Sequence, residues 1–301
     1  MSRAPRAAVI INPISGTGGR PDAARQRAEQ AASLLAARGR DAEILVTERG
    51  GHARELATAC LDRGIDLVIA WGGDGTVNEV ASGLVFRTAT MAVIPSGSGN
   101  GLARELGVPL DPPGAFATAI DGRTRVIDCG ELDRRLFFNV AGLGLDARVA
   151  HAFAANGLVR RGFRRYLEIA AREIFTYTPD EHTIVADGRA VRSRAQLVAL
   201  ANARQYGNGA LIAPDARIDD GKLDVVVIDH RPVWQTLVHV PKLFNGRIGS
   251  IAGVSMMTAA AVEITSERPA VYHVDGEPFV GGAHLEARAH AGALRIQVPA
   301  S

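Results

Sequence analysis

Residues 7–11, 42–47, 66–71 and 91–94 are short apolar runs rich in β-branched side chains, each the length of one buried strand. Between them lie Ala-, Arg- and Glu-rich stretches whose apolar positions recur at helical spacing. That alternation predicts βαβ units and a parallel sheet in the first part of the chain. Residues 22–38 read as a helix, opened by Pro21 as a first-turn residue and closed by Gly39; the helix that starts at His52 closes at Gly64. After Arg123 the texture changes. Runs at 135–140, 183–186, 196–203, 223–228, 262–265, 271–274 and 294–298 are separated by turn residues, with helical insertions at 149–175 and 232–244. The second part therefore reads as mainly antiparallel β.

Composition narrows the function classes. A chain of 301 residues that is 47% hydrophobic and 22% charged is large enough for two cored domains. Its formal net charge of +2 gives no reason to expect nucleic acid as a partner. Cys60 and Cys129 are its two cysteines, with no CxxC or Cys/His cluster for zinc, which fits a reducing cytoplasm. Arg3 and Arg6 precede an apolar run, but that run ends at Asn12-Pro13, too early for an export signal. No segment approaches the roughly 20 apolar residues that span a bilayer, so any membrane role is expected to be peripheral, at the inner face. Lys222 and Lys242 are the only lysines and neither follows a glycine-rich turn. A P-loop and a protein-kinase active site, which both require such a lysine within their motifs, are excluded.

Three polar, glycine-dense turns follow the first, third and fourth predicted strands: Asn12-Pro13-Ile14-Ser15-Gly16-Thr17-Gly18-Gly19, Gly72-Gly73-Asp74-Gly75-Thr76 and Pro95-Ser96-Gly97-Ser98-Gly99-Asn100. In a parallel sheet these strand ends share one edge, so the turns are expected to converge. Glycine removes the Cβ that would hold phosphate oxygens away from backbone N–H groups, and a helix starting directly afterwards adds its N-terminal dipole. Polyphosphate binding is the expectation; the plainer alternative is three tight strand-to-helix turns. Asp74 would repel phosphate unless it held a hydroxyl or a cation lay between them. A dinucleotide site fits less well, because Gly97 and Gly99 are followed by Leu102 where a third glycine belongs, although Glu48 ends the second strand.

These residues carry a resemblance. Ile11-Asn12-Pro13, Gly72-Gly73-Asp74-Gly75-Thr76-Val77-Asn78-Glu79-Val80 and Pro95-Ser96-Gly97-Ser98-Gly99-Asn100 are similar to the catalytic domain of the diacylglycerol kinase family, which includes bacterial lipid kinases, sphingosine kinases and ceramide kinases. The likeness continues through Asn139-Val140-Ala141-Gly142-Leu143-Gly144, Asp219-Asp220-Gly221-Lys222-Leu223-Asp224 and Val274-Asp275-Gly276-Glu277-Pro278. It implies an NAD kinase-like α/β nucleotide-binding domain at 1–126, rejoined by 293–301, and a β-sandwich domain for the lipid substrate at 127–292. It also implies ATP-binding roles for Asn12, Pro13, Ile14, Ser15, Gly16, Thr47, Gly73, Asp74, Gly75, Thr76, Val77, Asn78, Glu79 and Ser98. Glu277 matches the proton acceptor, with Asp275 second, and Asp74 joins them as catalytic. A structural Mg²⁺ is implied at Asp220 and the backbone carbonyls of Arg217 and Lys222.

Phosphoryl transfer needs a γ-phosphate held in line, charge offset by Mg²⁺, and a destination for the acceptor's proton. Two carboxylates flanking Gly276 meet that last need, whereas Asp275-Gly276 alone is an ordinary hairpin signal. The Asp219 to Asp224 stretch is not an EF-hand loop, since Arg217 stands where an oxygen ligand belongs. Within 157–175, Phe163, Leu167, Ala170 and Ile174 share a helical face opposite Arg161, Arg164, Arg165 and Arg172. That helix suits either an anionic lipid surface or a docked position with solvated arginines. His273 is notable only for its place beside the acidic pair. The expectation is an ATP- and Mg²⁺-dependent lipid kinase, acting on diacylglycerol or on a sphingoid base or ceramide, with a homodimer allowed. Asn100-Gly101-Leu102-Ala103 departs from the Asn-Asp-Phe-Ala wording of bacterial diacylglycerol kinases and leans toward the sphingosine-kinase-like members. The alternatives are a soluble-substrate kinase of NAD kinase type and a catalytically idle binding protein.

Overall fold

The computed structural model describes residues 6–16, 22–155 and 163–300. They fall into two compact units, Met1–Ile127 with Gly292–Ser301, and Asp128–Ala291.

In the first unit β1 (Ala7–Ile11), α1 (Ala23–Ala36), β2 (Ala42–Val46), α2 (His52–Asp62), β3 (Leu67–Gly72), α3 (Asp74–Leu84) and β4 (Thr90–Pro95) alternate as the sequence predicts. Helices α4 (Gly101–Glu105) and α5 (Pro112–Asp121) follow. The sheet runs β2-β1-β3-β4, all parallel. The chain's last strand, His284–Val298, lies parallel beside β4 through Arg295 and Ile296. Every residue of β1 and β3 is buried, because helices cover both faces of a parallel sheet. Helix α3 contributes Val77, Val80, Ala81 and Leu84 to that core. Trp71, at the end of β3, meets Phe116 of α5 edge to face at 5.4 Å. With all strands running one way, β1, β3 and β4 end at the same edge.

The second unit begins within β5 (Arg123–Leu132) and continues with β6 (Arg135–Phe137), β7 (Val140–Gly144), α6 (Leu145–Ala155) and α7 (Phe163–Thr176). Then come β8 (His182–Ala186), β9 (Arg189–Ser193), β10 (Ala195–Ala201), β11 (Leu223–Asp229) and α8 (Val233–Phe244). The strands β12 (Val254–Ala259), β13 (Ala261–Ser266), β14 (Val271–Val274), β15 (Glu277–Val280) and β16 (His284–Val298) close the chain. One sheet, β12-β11-β10-β7-β14-β15, is antiparallel throughout. The other runs β16-β13-β8-β9, also antiparallel, with β5 against β16 and β6 against β5. Alternate residues of β10 and β11 serve two cores. Val198, Leu200, Val225 and Val227 pack with Ile184, Ile264 and Leu285 of the second sheet. Ala199, Ala201 and Val226 turn the other way, toward Ile212, Ile248 and Ile251. Burial on both faces accounts for the unbroken apolar runs there.

Several boundaries differ from the sequence reading; the run 294–298 is the end of the longer strand β16, and two other differences have a local cause. The run 135–140 is not one strand: it breaks at Phe138 and Asn139, whose N–H groups, with that of Val140, donate to the Asp275 carboxylate instead of a ladder. The helical stretch 149–175 is two helices, α6 and α7, with 156–162 outside the described residues.

Gly130 of β5 stands directly opposite Phe137 of β6. The Phe137 ring fills the space a side chain would take, so an added Cβ would lie 2.0 Å from ring atom Cζ. Gly130→Ala is therefore expected to destabilise by about 1–3 kcal/mol through overpacking. Gly130→Ala combined with Phe137→Leu should recover part of the loss, as measured by urea unfolding. A Gly130→Ala protein as stable as the parent would contradict the contact.

Candidate functional site

The three glycine turns of the first unit do meet. A Cβ on Gly97 would lie 2.8 Å from the Cα of Gly73, so the turns after β3 and β4 touch backbone to backbone. Asp74 holds them there. Its carboxylate accepts from the N–H of Asn100 at 2.9 Å and of Gly101 at 2.7 Å. Burial pushes this carboxyl up from its ordinary value, against the opposing pull of the Gly101, Asn100 and Asp74 N–H groups and of Arg104. Asn100 takes the left-handed conformation, φ 51°, that Asn tolerates better than most residues. Its side chain closes the turn on itself, accepting from Gly97 N–H and donating to the Gly97 carbonyl, both at 2.8 Å.

The first turn is stitched to the other two. The Asn12 amide donates to the Thr76 hydroxyl at 2.8 Å, and the Ser15 and Ser96 hydroxyls are 3.2 Å apart. Gly16, at φ 68°, approaches so closely that a Cβ would lie 2.1 Å from the Ser96 carbonyl oxygen. Beneath this turn Arg27 of α1, buried against Trp71, donates to the carbonyls of Asn12 and Ser15. Sequence reasoning missed Arg27, whose place in an Arg-rich helix resembles that of its solvated neighbours.

Asn12, Pro13, Ile14, Ser15, Gly16, Gly73, Asp74, Gly75 and Thr76 thus belong to one cluster, with Ser98 exposed beside it. Ile14, Gly16 and Gly75 are exposed there, and the first turn of α3 supplies backbone N–H groups and a positive dipole end. Such a surface can receive phosphate oxygens. Three of the expected residues make contacts that the sequence did not reveal. Asp74 is a backbone clamp, both oxygens on N–H groups. Val77 turns its side chain into the core. Glu79 accepts from the N–H groups of Gly51 and Ala53 and so caps α2. Thr47 is buried at the end of β2, with its N–H on the Ile11 carbonyl, and Asn78 accepts from Ser82. Thr17, Gly18 and Gly19 lie outside the described residues.

In the second unit the acidic pair sits on the β14–β15 hairpin. Asp275 and Gly276 both have positive φ, 46° and 83°, as the tight turn most compatible with strand twist requires. Asp275 is spoken for: its two oxygens accept from the N–H groups of Phe138, Asn139 and Val140 at 2.9 to 3.2 Å. Glu277 is exposed at the start of β15. Under the turn lies a network the sequence did not reveal. The Gly276 N–H donates to His273 Nδ1 at 3.3 Å, which assigns the proton to Nε2, and Nε2 donates to Asp146 at 3.0 Å. The Tyr206 hydroxyl donates to the same Asp146 oxygen at 2.9 Å. Gly142 makes room for it, since a Cβ there would lie 2.7 Å from that oxygen. A cavity of about 460 Å³ in this unit is lined by Arg148, Glu173, Tyr177, Asp180 and Arg268 among others. Its arginines are paired, Arg148 with Glu173 and Arg268 with Asp180, which disfavours it as a phosphate site.

The Asp219 to Asp224 turn brings hard oxygen donors together. Asp220 accepts from the Lys222 N–H at 3.1 Å, and Asp128 accepts from Gly221 at 2.6 Å. Asp224 is buried, and burial followed by the charges of Asp220 and Asp215 pushes its carboxyl up to about 6. Among the described residues no three His, Cys, Asp or Glu side chains form a metal cluster. A site of one carboxylate and the Arg217 and Lys222 carbonyls does not require one, and its all-oxygen chemistry suits Mg²⁺. Of the expected basic helix, Arg161 and the side chains of Phe163, Arg164, Arg165 and Leu167 lie outside the described residues, while Arg172 is exposed.

The clamp has a measurable signature. Asp74→Asn places an amide donor against the N–H of Asn100 or Gly101, leaving one buried N–H without an acceptor, at a cost of about 1–3 kcal/mol. Amide exchange at Asn100 and Gly101 should accelerate by roughly tenfold or more. Unchanged protection at both amides would remove Asp74 from this role.

Comparison with known proteins identifies the family. Residues 6–132 match the model of the diacylglycerol kinase catalytic domain. Residues 139–298 match that of the YegS C-terminal NAD kinase beta sandwich-like domain. A protein of Pseudomonas aeruginosa named "Probable lipid kinase YegS-like" is 31% identical over 283 residues, covering 87% of this chain and 86% of that one. A diacylglycerol kinase of Mycobacterium tuberculosis is 31% identical over 297 residues, covering 96% and 94%. The crystal structure of a diacylglycerol kinase from Bacillus anthracis superimposes with a TM-score of 0.74 over 99% of this chain and 98% of that one, at 20% identity, and so shares the fold. With both family models matching in order along one chain, the protein belongs to the diacylglycerol kinase family and is an enzyme of the lipid kinase class.

Proposed function

We propose that the protein transfers the terminal phosphoryl group of ATP to a lipid hydroxyl, giving a phospholipid and ADP. Diacylglycerol is the first candidate acceptor and a sphingoid base or ceramide the next. The observation that carries the reading is the Gly73–Gly97 contact clamped by Asp74, which keeps three turns with few side chains together in a chain whose relatives bear lipid kinase names. In this reading the phosphates lie against the turns Asn12 to Gly16 and Gly73 to Thr76 and against Ser98. Arg27 supplies a fixed positive charge from below. Asp74 is a positioning residue.

Glu277 is the base in this reading and takes the proton of the acceptor hydroxyl. Asp275 positions it by fixing the turn, and the His273–Asp146–Tyr206 network supports the turn from beneath. When bound with the nucleotide, Mg²⁺ offsets charge on the phosphates. Asp220 with the Arg217 and Lys222 carbonyls would hold a structural Mg²⁺. The work is done in the cytoplasm at the inner membrane surface, on a lipid that the enzyme approaches from the water side.

The decisive assay is incubation with ATP, Mg²⁺ and a mixed-micelle panel of diacylglycerol, sphingoid base, ceramide and NAD, read by product mass. A phosphorylated lipid is expected; phosphorylated NAD with every lipid untouched would sink the proposal in favour of the NAD kinase type. Glu277→Gln should lower kcat by about 10²- to 10⁴-fold, the usual share of a general base, with KM for ATP and thermal stability close to the parent's. Near-normal kcat would transfer the proton to another acceptor.

A further inference from the structure

Helix α8 is packed the wrong way round for a helix of a water-soluble protein, which ordinarily turns its apolar stripe to the core. Its inward side holds Thr236, whose hydroxyl donates to the Gln196 side chain, and Leu243 against the smaller core, while Lys242, four residues after Val238 and bonded to the exposed Ser250 hydroxyl, flanks the opposite side. No residue of the helix is buried. The opposite side carries Trp234, Leu237, Val238, Val240, Pro241 and Phe244, spaced three and four apart, so they form one continuous stripe. All six are exposed, Trp234 and Val238 to 65% and Phe244 to 50%. So contiguous an exposed apolar face marks an interaction surface.

Charge identifies the occupant. From His230 to Val262 the sequence holds no Asp or Glu, whereas Arg231, Lys242 and Arg247 fall within or directly beside the helix. A second copy of the chain meeting this face would bring two sets of cations together without an acidic side chain of the stretch to offset them. An anionic bilayer accepts both features, apolar side chains at the acyl boundary and cations among the headgroups. A tryptophan on such a face suits the interface between the two.

We propose that α8, with Arg231, Lys242 and Arg247, is the element by which the protein lies on an anionic lipid bilayer. The assignment extends the membrane-surface reading given above, and its test is independent of kinase activity.

The chain has two tryptophans, Trp71 buried at 2% exposure and Trp234 on the stripe, so a change in emission on adding vesicles reports Trp234. The parent protein should cosediment with vesicles of equimolar phosphatidylcholine and phosphatidylglycerol, with a blue-shifted emission. It should bind less at high salt and less to phosphatidylcholine alone. Leu237→Asp/Val238→Asp/Phe244→Asp, three exposed positions, should weaken binding to the anionic vesicles by about tenfold or more while leaving the melting temperature unchanged. Equal binding by parent and variant, or no vesicle binding by the parent, overturns the proposal. So does a parent dimer that the variant converts to monomer without vesicle binding, since the stripe would then be a self-interface. Absence of phosphorylated lipid from the micelle assay with vesicle binding intact would count against the kinase reading alone.

Discussion

The first unit's site depends on two backbones touching where neither has a side chain. Gly73 and Gly97 approach closely enough that a single Cβ on Gly97 would fall 2.8 Å from the other's Cα. Nothing in that contact is itself strongly attractive; it is held by the Asp74 carboxylate, which reaches from the head of α3 to the head of α4 and takes two N–H groups. Hydrogen bonds to a charged group contribute about 1.5–3 kcal/mol each, which has to offset the cost of drawing a carboxylate out of water. Burial works against the charged form of Asp74, and the N–H groups of Gly101, Asn100 and Asp74 work for it. A residue kept at such a cost is better explained by the geometry it enforces than by stability, because an apolar side chain could not hold the turns together.

The second unit uses the same device. Three of its hairpins, at Asp133-Arg134, Asp187-Gly188 and Asp275-Gly276, place Asp first in a turn whose central residues both have positive φ. In each case the Asp side chain reaches away from the turn: Asp133 to the Tyr272 hydroxyl, Asp187 to the N–H groups of Ala260 and Ala261, and Asp275 to those of Phe138, Asn139 and Val140. Asp275 differs in having a second carboxylate two residues on. The ordinary reading of Asp-Gly as a turn holds for Asp275, and the proposed role as base falls to Glu277. Asp275 builds the turn, and Glu277 is the carboxylate the turn presents.

The elements of the first unit were legible because β-branched runs and helical spacing are local signals, and the glycine turns could be placed at one edge because parallel strands leave no other arrangement. What the acidic residues do was not legible. Asp74 meets partners 26 and 27 positions away, Glu79 meets Gly51 28 positions away, and Asp275 meets Asn139 136 positions away. Spacing along the chain carries no trace of such bonds, so the backbone-acceptor contacts of these carboxylates did not show in it. The same long-range bond broke the run 135–140, whose apolar pattern alone describes one strand. For α8 the periodicity does reveal a stripe at Trp234, Leu237, Val238 and Pro241, but periodicity is blind to which side of a helix meets the protein. Packing supplied that, and reversed the ordinary assumption.

On the proposed reading the turn after β1 receives phosphate oxygens, and Arg27 bears on how it does so. A phosphate approaching a turn meets carbonyl oxygens as well as N–H groups, and carbonyls repel it. The guanidinium forks to the carbonyls of Asn12 and Ser15, so neither dipole is left to face an incoming oxygen. Burial pushes this guanidinium down from its ordinary value, yet that value is so high that the group stays charged at any physiological pH. A lysine at this place, with a point charge in place of a planar fork, would not tie two carbonyls in one orientation and would lose its proton more readily on burial. In the proposed phosphate site the glycines of the β3 and β4 turns clear space, and Arg27 gives the β1 turn the polarity that the same ligand demands.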